Sequence, residues 1–339
     1  MNSKQPVVVF GAYGHTGRFV VDELLRRGVP VVLSGRDADK LNAMGDARVG
    51  TETRVAPVDD PAKVSAALSG CGAVINCAGP FIDTTVPVVE AAIRARIPYL
   101  DIAAEQAAVF GLFERFEKPA QDAGVAIVPA MGFYGGLGDL VATATMREWT
   151  EADEIVVAVG LDGWHPTLGT RLTGRRNPGP RFVFTGGKLI RRDPEPDADW
   201  NFPAPLGSQP VIRLGLSETI LIPRHLRVSE IRPLLNLTPL RDLEDPETPP
   251  PVAADERGRS SQLFIVDVVV RQGDEQRRTA IRGHDIYAVT APIVAEATER
   301  VIRGLTPGSG VFAAGQAFDA QDFLNHLQSR YPGLEIFEP

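Results

Sequence analysis

The run Val7-Val-Val-Phe10, Gly11-Ala-Tyr-Gly14-His-Thr-Gly17, Arg18-Phe-Val-Val-Asp-Glu-Leu-Leu-Arg26 constrains this chain more than any other stretch. Four apolar residues predict a strand, and the segment from Arg18 predicts an amphipathic helix. Each glycine between them has its own reason. Gly11 suits the turn off the strand, Gly14 lets backbone N–H groups approach a pyrophosphate, and Gly17 lets the helix pack closely on the strand. The positive helix end then faces the phosphates. The turn is predicted to cradle a dinucleotide diphosphate, with Gly11, Tyr13, Gly14, His15, Thr16 and Gly17 around it. Its spacing, G-x-x-G-x-x-G, departs from the commonest fingerprint by one position. A merely structural glycine-rich turn is the alternative.

Strand and helix patterns go on alternating. Strands are expected at Pro30–Leu33, Thr53–Pro57, Ala73–Cys77, Tyr99–Ile102 and Val125–Pro129. Helices are expected near Pro61–Leu68, Val86–Arg96 and Phe110–Ala123. This order argues for an α/β fold of Rossmann type, a doubly wound parallel sheet that binds ligands at the carboxyl ends of its strands.

Two of those ends discriminate between ligands. After the second strand come Ser34, Gly35 and Arg36, with Lys40 one turn beyond. An NAD site usually places an acid there for the ribose 2′-OH. A guanidinium and an ammonium instead attract a 2′-phosphate, so NADP is the expected cofactor. Asp37 keeps NAD as the alternative unless it caps the next helix. After the fourth strand, Cys77-Ala78-Gly79-Pro80 forms a second tight turn, in which Gly79 permits close backbone approach. These four are expected under the pyrophosphate or the nicotinamide ribose, and Cys77 is expected to be a buried, inert thiol.

The character changes after Pro129–Asp139, a span holding four glycines that precedes the helical stretch Leu140–Trp149. Asp139 there is either a helix cap or a ligand-binding carboxylate. Strands are expected at Glu154–Gly160, Arg181–Thr185 and Val211–Leu214, then a hairpin from Gln262–Arg271 to Glu275–Arg282. Strands without long intervening helices predict a largely antiparallel sheet in a second, mixed α/β domain. Arg191–Pro210 and Asp242–Arg259 read as surface loops. Helices are expected near Ala288–Arg303 and Phe318–Leu327. The expected domains are 1–135, 136–303, and a segment 304–339 returning to the first.

Composition bounds the function. A chain of 339 residues, 44% hydrophobic, can bury a large core, and its length suggests about two domains. A net charge of −8 argues against nucleic acid or an anionic membrane as partner. There is no apolar run of membrane-spanning length. The two isolated cysteines, Cys71 and Cys77, suggest a reducing compartment, and the expected location is cytoplasmic. The five histidines have no close pairing with one another or with the cysteines, so no metal site is expected. Short-chain dehydrogenase chemistry needs a lysine four residues after a tyrosine. Those positions after Tyr13, Tyr99, Tyr134, Tyr287 and Tyr331 hold Gly17, Ala103, Gly138, Ala291 and Glu335.

Taken together, Gly11–Gly17, Val74–Phe81, Tyr99-Leu-Asp-Ile-Ala-Ala-Glu105 and Pro129–Asp139 resemble the saccharopine dehydrogenase-like NAD(P)-binding oxidoreductases. That group includes saccharopine reductases and trans-acting enoyl reductase-like proteins. Asp285–Pro292 and Ala314–Asp319 echo it more weakly. The resemblance implies a Rossmann domain plus a mixed α/β domain whose sheet can support a homodimer. It also implies hydride transfer to or from a small substrate, an imine or secondary amine or an activated double bond, in the cleft between domains. Saccharopine reductases usually carry an acid followed by proline where Tyr134 and Gly135 stand here, which argues against saccharopine as substrate. A proton must accompany the hydride. Tyr134, Asp139 and Glu105 are the candidate catalytic residues, with His284 and Tyr287 behind them. The rival reading is a non-catalytic NADP(H)-sensing regulator using the same turn.

Overall fold

Strands that read as unbroken apolar runs need cover on both faces, and the first unit provides it. The computed structural model describes residues 5–176 and 179–339. Six parallel strands, β1 (Val7–Phe10), β2 (Val31–Gly35), β3 (Glu52–Val55), β4 (Ala73–Asn76), β5 (Tyr99–Asp101) and β6 (Ala126–Val128), alternate with helices. The helices are α1 (His15–Arg26), α2 (Ala38–Asp46), α3 (Pro61–Leu68), α4 (Phe81–Ala95) and α5 (Gln106–Ala123). The sheet order is β6-β5-β4-β1-β2-β3, with the short strand Gly310–Val311 added beside β6. Val8, Phe10, Val74, Tyr99 and Ile127 share one core with Val64, Val88, Leu112 and Phe116 of the helices. The opposite-facing Val7, Val9, Leu33, Ile75 and Leu100 are equally buried. This is the doubly wound order, whose crevice lies at the carboxyl ends of the neighbouring strands β1 and β4, where the strand order reverses. Asp37 and Asp60 cap α2 and α3, each accepting from a backbone N–H at 3.1 Å.

The second unit is built on a mixed sheet. Its central strand β7 (Glu151–Leu161) pairs parallel with Arg227–Asn236 and antiparallel with Leu263–Gln272. The latter forms the expected hairpin with Glu275–His284. Arg227–Asn236 was not visible as a strand in the sequence, where Arg227, Glu230 and Arg232 interrupt its apolar pattern; its pairing with β7 is parallel, and the other pairings described in this sheet are antiparallel, as expected. Arg191–Pro210 is a cover for this sheet and not only a surface loop. Trp200–Asn201 pairs with Ser208–Gln209, and Phe202 packs with Val156, Ala158, Ile265 and Val269. Helix α6 (Gly138–Met146) belongs to the same unit.

The two compact units are Met1–Phe133 with Thr290–Phe312, and Tyr134–Val289 with Ala313–Pro339. The return to the first unit therefore runs over 290–312, and the last 27 residues, helix Ala320–Arg330 included, pack in the second. Sequence placed that return at 304–339. The reason for the difference is side-chain pairing: buried Arg27 at the end of α1 binds Glu296 and Glu299 on the helix Ile286–Ile302, each at 2.8 Å. Among the described residues, no helix is long and apolar enough to cross a membrane.

Candidate functional site

The turn between β1 and α1 is packed so closely that side chains are excluded from it. Gly11 adopts φ +84°, and a Cβ there would stand 2.8 Å from the backbone nitrogen of Ala78. A Cβ on Gly17 would collide with the carbonyls of Gly11 and Ala12. The two turns predicted at the crevice are thus in contact, Gly11 against Ala78. Gly14 is the N-cap of α1 and supplies no side-chain cap to the first turn. Arg18 braces the turn by donating from Nε to the Tyr13 carbonyl at 3.1 Å. His15 and Thr16 lie on the first turn of α1, His15 edge-on to Phe19.

At the end of β2 the predicted residues divide. Ser34 turns its hydroxyl inward, donating to the Arg54 carbonyl at 3.0 Å, and its own carbonyl accepts from the N–H groups of Gly11 and Ala12. Ser34 is therefore a brace for the turn, and only its backbone is at the site. Gly35 is covered by the Tyr13 ring, since a Cβ would meet Tyr13 Cε1 at 2.6 Å. Arg36 is exposed, and the Lys40 ammonium stands 5.7 Å from the Tyr13 ring centroid. Asp37, the residue that kept an NAD-type site open, caps α2 and pairs with Lys40 at 3.3 Å.

The carboxyl ends of β4, β5 and β6 are joined by one buried polar network. Asn76 donates to Thr84 (3.1 Å) and to the Tyr99 hydroxyl (3.3 Å), while its Oδ1 accepts from Ala78 N–H. Tyr99 donates to Asp101 at 2.8 Å, and the other Asp101 oxygen accepts from the N–H groups of Ala103 and Ala130. Burial pushes the Asp101 carboxyl up to about 6 against those hydrogen bonds. The turn Cys77–Pro80 is thereby held at the crevice. Burial, with the Asp101 charge behind it, drives the Cys77 thiol far above its usual range. A thiol so held is a poor nucleophile.

The catalytic candidates separate. Glu105 is 2% exposed, and its two oxygens accept from Phe81 N–H (2.7 Å) and Ile82 N–H (2.9 Å). Both oxygens are committed to the amino end of α4, so Glu105 is a helix cap and not a proton donor. Asp139 lies in the first turn of α6 without capping it. Wholly buried, it meets His225 Nε2 through Oδ1 and accepts from Gly315 N–H through Oδ2, both at 2.8 Å. Burial alone would lower the His225 pKa; the Asp139 charge and hydrogen bond outweigh it and raise it. Tyr287 is enclosed by Trp164 Nε1 (2.8 Å), Thr170 Oγ1 (2.9 Å) and Thr167 N–H. His284 ends its strand in an exposed position. Tyr134 sits at a kink that only Gly135, at φ +107°, allows, and its ring lies 6.3 Å from that of Trp164. Burial raises its phenol well above the usual tyrosine range.

Sequence reasoning passed over Glu218 and His225. Glu218 is 5% exposed, and burial, then the nearby Asp139 charge, pushes its carboxyl up to about 7. The one signal available was a lone acid inside the apolar run Leu214–Ile222, where an ionised group is costly.

Comparison with known proteins agrees with this geometry. Residues 7–128 match the family model for the saccharopine dehydrogenase NADP-binding domain. A saccharopine dehydrogenase-like oxidoreductase of Rattus norvegicus is 28% identical over 160 residues, 42% of this chain and 37% of that protein. A Mycobacterium tuberculosis protein named as a candidate trans-acting enoyl reductase is 27% identical over 141 residues, 40% of this chain and 33% of that one. The matched stretch thus spans about a third of the length of these relatives. The fold is that of apo saccharopine dehydrogenase (L-Glu forming) from Saccharomyces cerevisiae, with a TM-score of 0.69 at 14% identity over 99% of this chain and 100% of that one. Residues 7–128 are thus similar to the saccharopine dehydrogenase NADP-binding domain, and the whole chain shares the fold of saccharopine dehydrogenase.

Proposed function

We propose that the protein is an NADP(H)-dependent oxidoreductase exchanging hydride with a small substrate, an imine or an activated double bond. The observation that carries the reading is the β1–α1 turn, packed without room for a Cβ at Gly11 or Gly17 and uncapped at Gly14. When bound, NADPH supplies the hydride, and the chain supplies binding, orientation and the proton. Gly14, His15, Thr16 and Gly17 hold the diphosphate at the positive end of α1. Ala78, Gly79 and Pro80 back the same turn. Arg36 and Lys40 receive the 2′-phosphate, and Asp37, which follows Arg36, is engaged in capping α2.

Tyr134 gives the proton. Its phenol carries a proton through the neutral range, and burial, by raising its pKa, makes it a weaker acid than an exposed tyrosine. Glu105 and Asp139 are not assigned this task, since the carboxylate oxygens of both are held by protein donors. Among the relatives, the enoyl reductase name supports an activated double bond as one substrate class. The two free cysteines support a reducing compartment such as the cytoplasm.

The test is calorimetry with NADPH, NADP+ and NADH, followed by NADPH oxidation over a panel of imines, keto acids with amines, and enoyl thioesters. We expect NADPH to bind more tightly than NADH and to be consumed with at least one substrate class. No binding of any dinucleotide would overturn the site. Tight binding with no turnover across the panel would replace the enzyme by a redox-sensing regulator.

A further inference from the structure

The Tyr13 ring reaches from the β1–α1 turn to the end of β2 and takes the space that a side chain at position 35 would need. A Cβ on Gly35 would stand 2.6 Å from Tyr13 Cε1 and 3.3 Å from Cζ. Gly35 does not have a left-handed backbone, so its missing side chain provides room for the ring and not a special chain conformation. The ring is held there from behind. Arg18 Nε donates to the Tyr13 carbonyl at 3.1 Å, and the N–H groups of Gly11 and Ala12 donate to the Ser34 carbonyl at 2.8 and 3.1 Å. In the first turn of α2, the Lys40 ammonium stands 5.7 Å from the ring centroid, within reach of a cation–π contact, and 3.3 Å from the Asp37 carboxylate. Tyr13 thus joins the diphosphate turn, the end of β2 and the start of α2.

We propose that Tyr13 is a positioning residue that makes the site choose NADP over NAD, its ring holding the Lys40 ammonium ready for the ribose 2′-phosphate. The inference rests on the reading of Arg36 and Lys40 as the groups that receive that phosphate, and adds the side chain that sets one of them. The chemistry recognised is a phosphomonoester on a ribose, the group that NADP has and NAD lacks. Lys40 is an exposed, flexible side chain, and such a chain loses rotamer freedom when it grips an anion. A lysine already leaning on an aromatic face has lost part of that freedom beforehand. The ring attracts the ammonium through its quadrupole and leaves the full positive charge in place. Asp37 holds the same ammonium but offsets its charge, and a carboxylate beside a phosphate repels it. An aromatic face is therefore the better support for a cation that must meet an anion. Gly35 is part of the device, since a side chain there would displace the ring.

The test is calorimetry on the full-length protein with NADPH, NADH, adenosine 2′,5′-bisphosphate and AMP, the last two isolating the 2′-phosphate from the nicotinamide half. Tyr13→Ala should weaken NADPH and the bisphosphate by about 3- to 10-fold and leave NADH and AMP within about twofold of the wild type. Retained NADH and AMP binding also shows that the turn is folded, and Tyr13→Leu repeats the measurement with a side chain that fills the half-buried place. Tyr13→Phe keeps the ring and should match the wild type. Gly35→Ala should reproduce the loss by pushing the ring aside, and should add nothing in a Tyr13→Ala background, where its Cβ has room. Asp37→Asn should keep or raise the preference. A preference that survives Tyr13→Ala and Tyr13→Leu, an equal loss for all four ligands in both, or a preference lost in Tyr13→Phe or in Asp37→Asn overturns the proposal. A wild type that binds NADPH and NADH alike overturns it together with the 2′-phosphate reading, whereas a wild-type preference that the Tyr13 variants leave in place counts against Tyr13 alone.

Discussion

Arg36 and Asp37 are neighbours of opposite charge at the end of β2, and only one is available to a ligand. Asp37 accepts from Lys40 N–H at 3.1 Å and pairs with the Lys40 ammonium, whereas Arg36 is exposed. Arg36→Asp should therefore weaken NADPH binding by roughly 10- to 100-fold, the range of one or two charge-assisted hydrogen bonds, and change NADH binding far less. Equal losses in calorimetry for the two dinucleotides would remove the 2′-phosphate role. The glycines of the first turn were readable because their reason is local: backbone approach within a few residues. Asp139 was not. Its partner His225 is 86 residues away, and no spacing pattern records that meeting. Glu105 was misread for the same reason, since the α4 amides that it caps lie 23 and 24 residues back along the chain.

Between elements, the network of Asn76, Thr84, Tyr99 and Asp101 locks the ends of β4, β5 and β6 together behind the cofactor turn. Asp101 is the acid of this network. Its folded-state pKa of about 6 lies above the ordinary carboxylate value, so the folded protein binds this proton more tightly than the unfolded chain does. Stability from this group is fully present below about pH 4 and is lost as pH rises to about 6, a decline on the order of 3 kcal/mol. Asp101→Asn should flatten that part of the stability-against-pH curve, as read by denaturant titration at a series of pH values. An unchanged slope would mean that Asp101 titrates alike in the folded and unfolded chain. At this scale sequence served well for β1 to β6, whose buried apolar runs announce themselves. It failed for Arg227–Asn236, a strand in the middle of its sheet that carries charge along its length.

For the whole molecule, the chain's path depends on a buried ion cluster. The Arg27 side chain, 2% exposed, binds Glu23 at 2.7 Å and both Glu296 and Glu299 at 2.8 Å, and it closes the first unit around a segment that follows more than 150 residues of the second. Removing one member of a buried pair strands the others, so Arg27→Ala should cost about 3–5 kcal/mol. A thermal melt and protease sensitivity at the helix Ile286–Ile302 would show it; a variant as stable as the wild type would deny the cluster its role. The strand–turn–helix order, the doubly wound sheet and the dinucleotide turn were written in the sequence alone, because periodicity and glycine spacing act over a few residues. Which acids cap helices, which one meets a histidine, which stays neutral and where the chain returns were decided only in the folded protein. Burial and long-range proximity set those outcomes, and neither leaves a mark in local spacing.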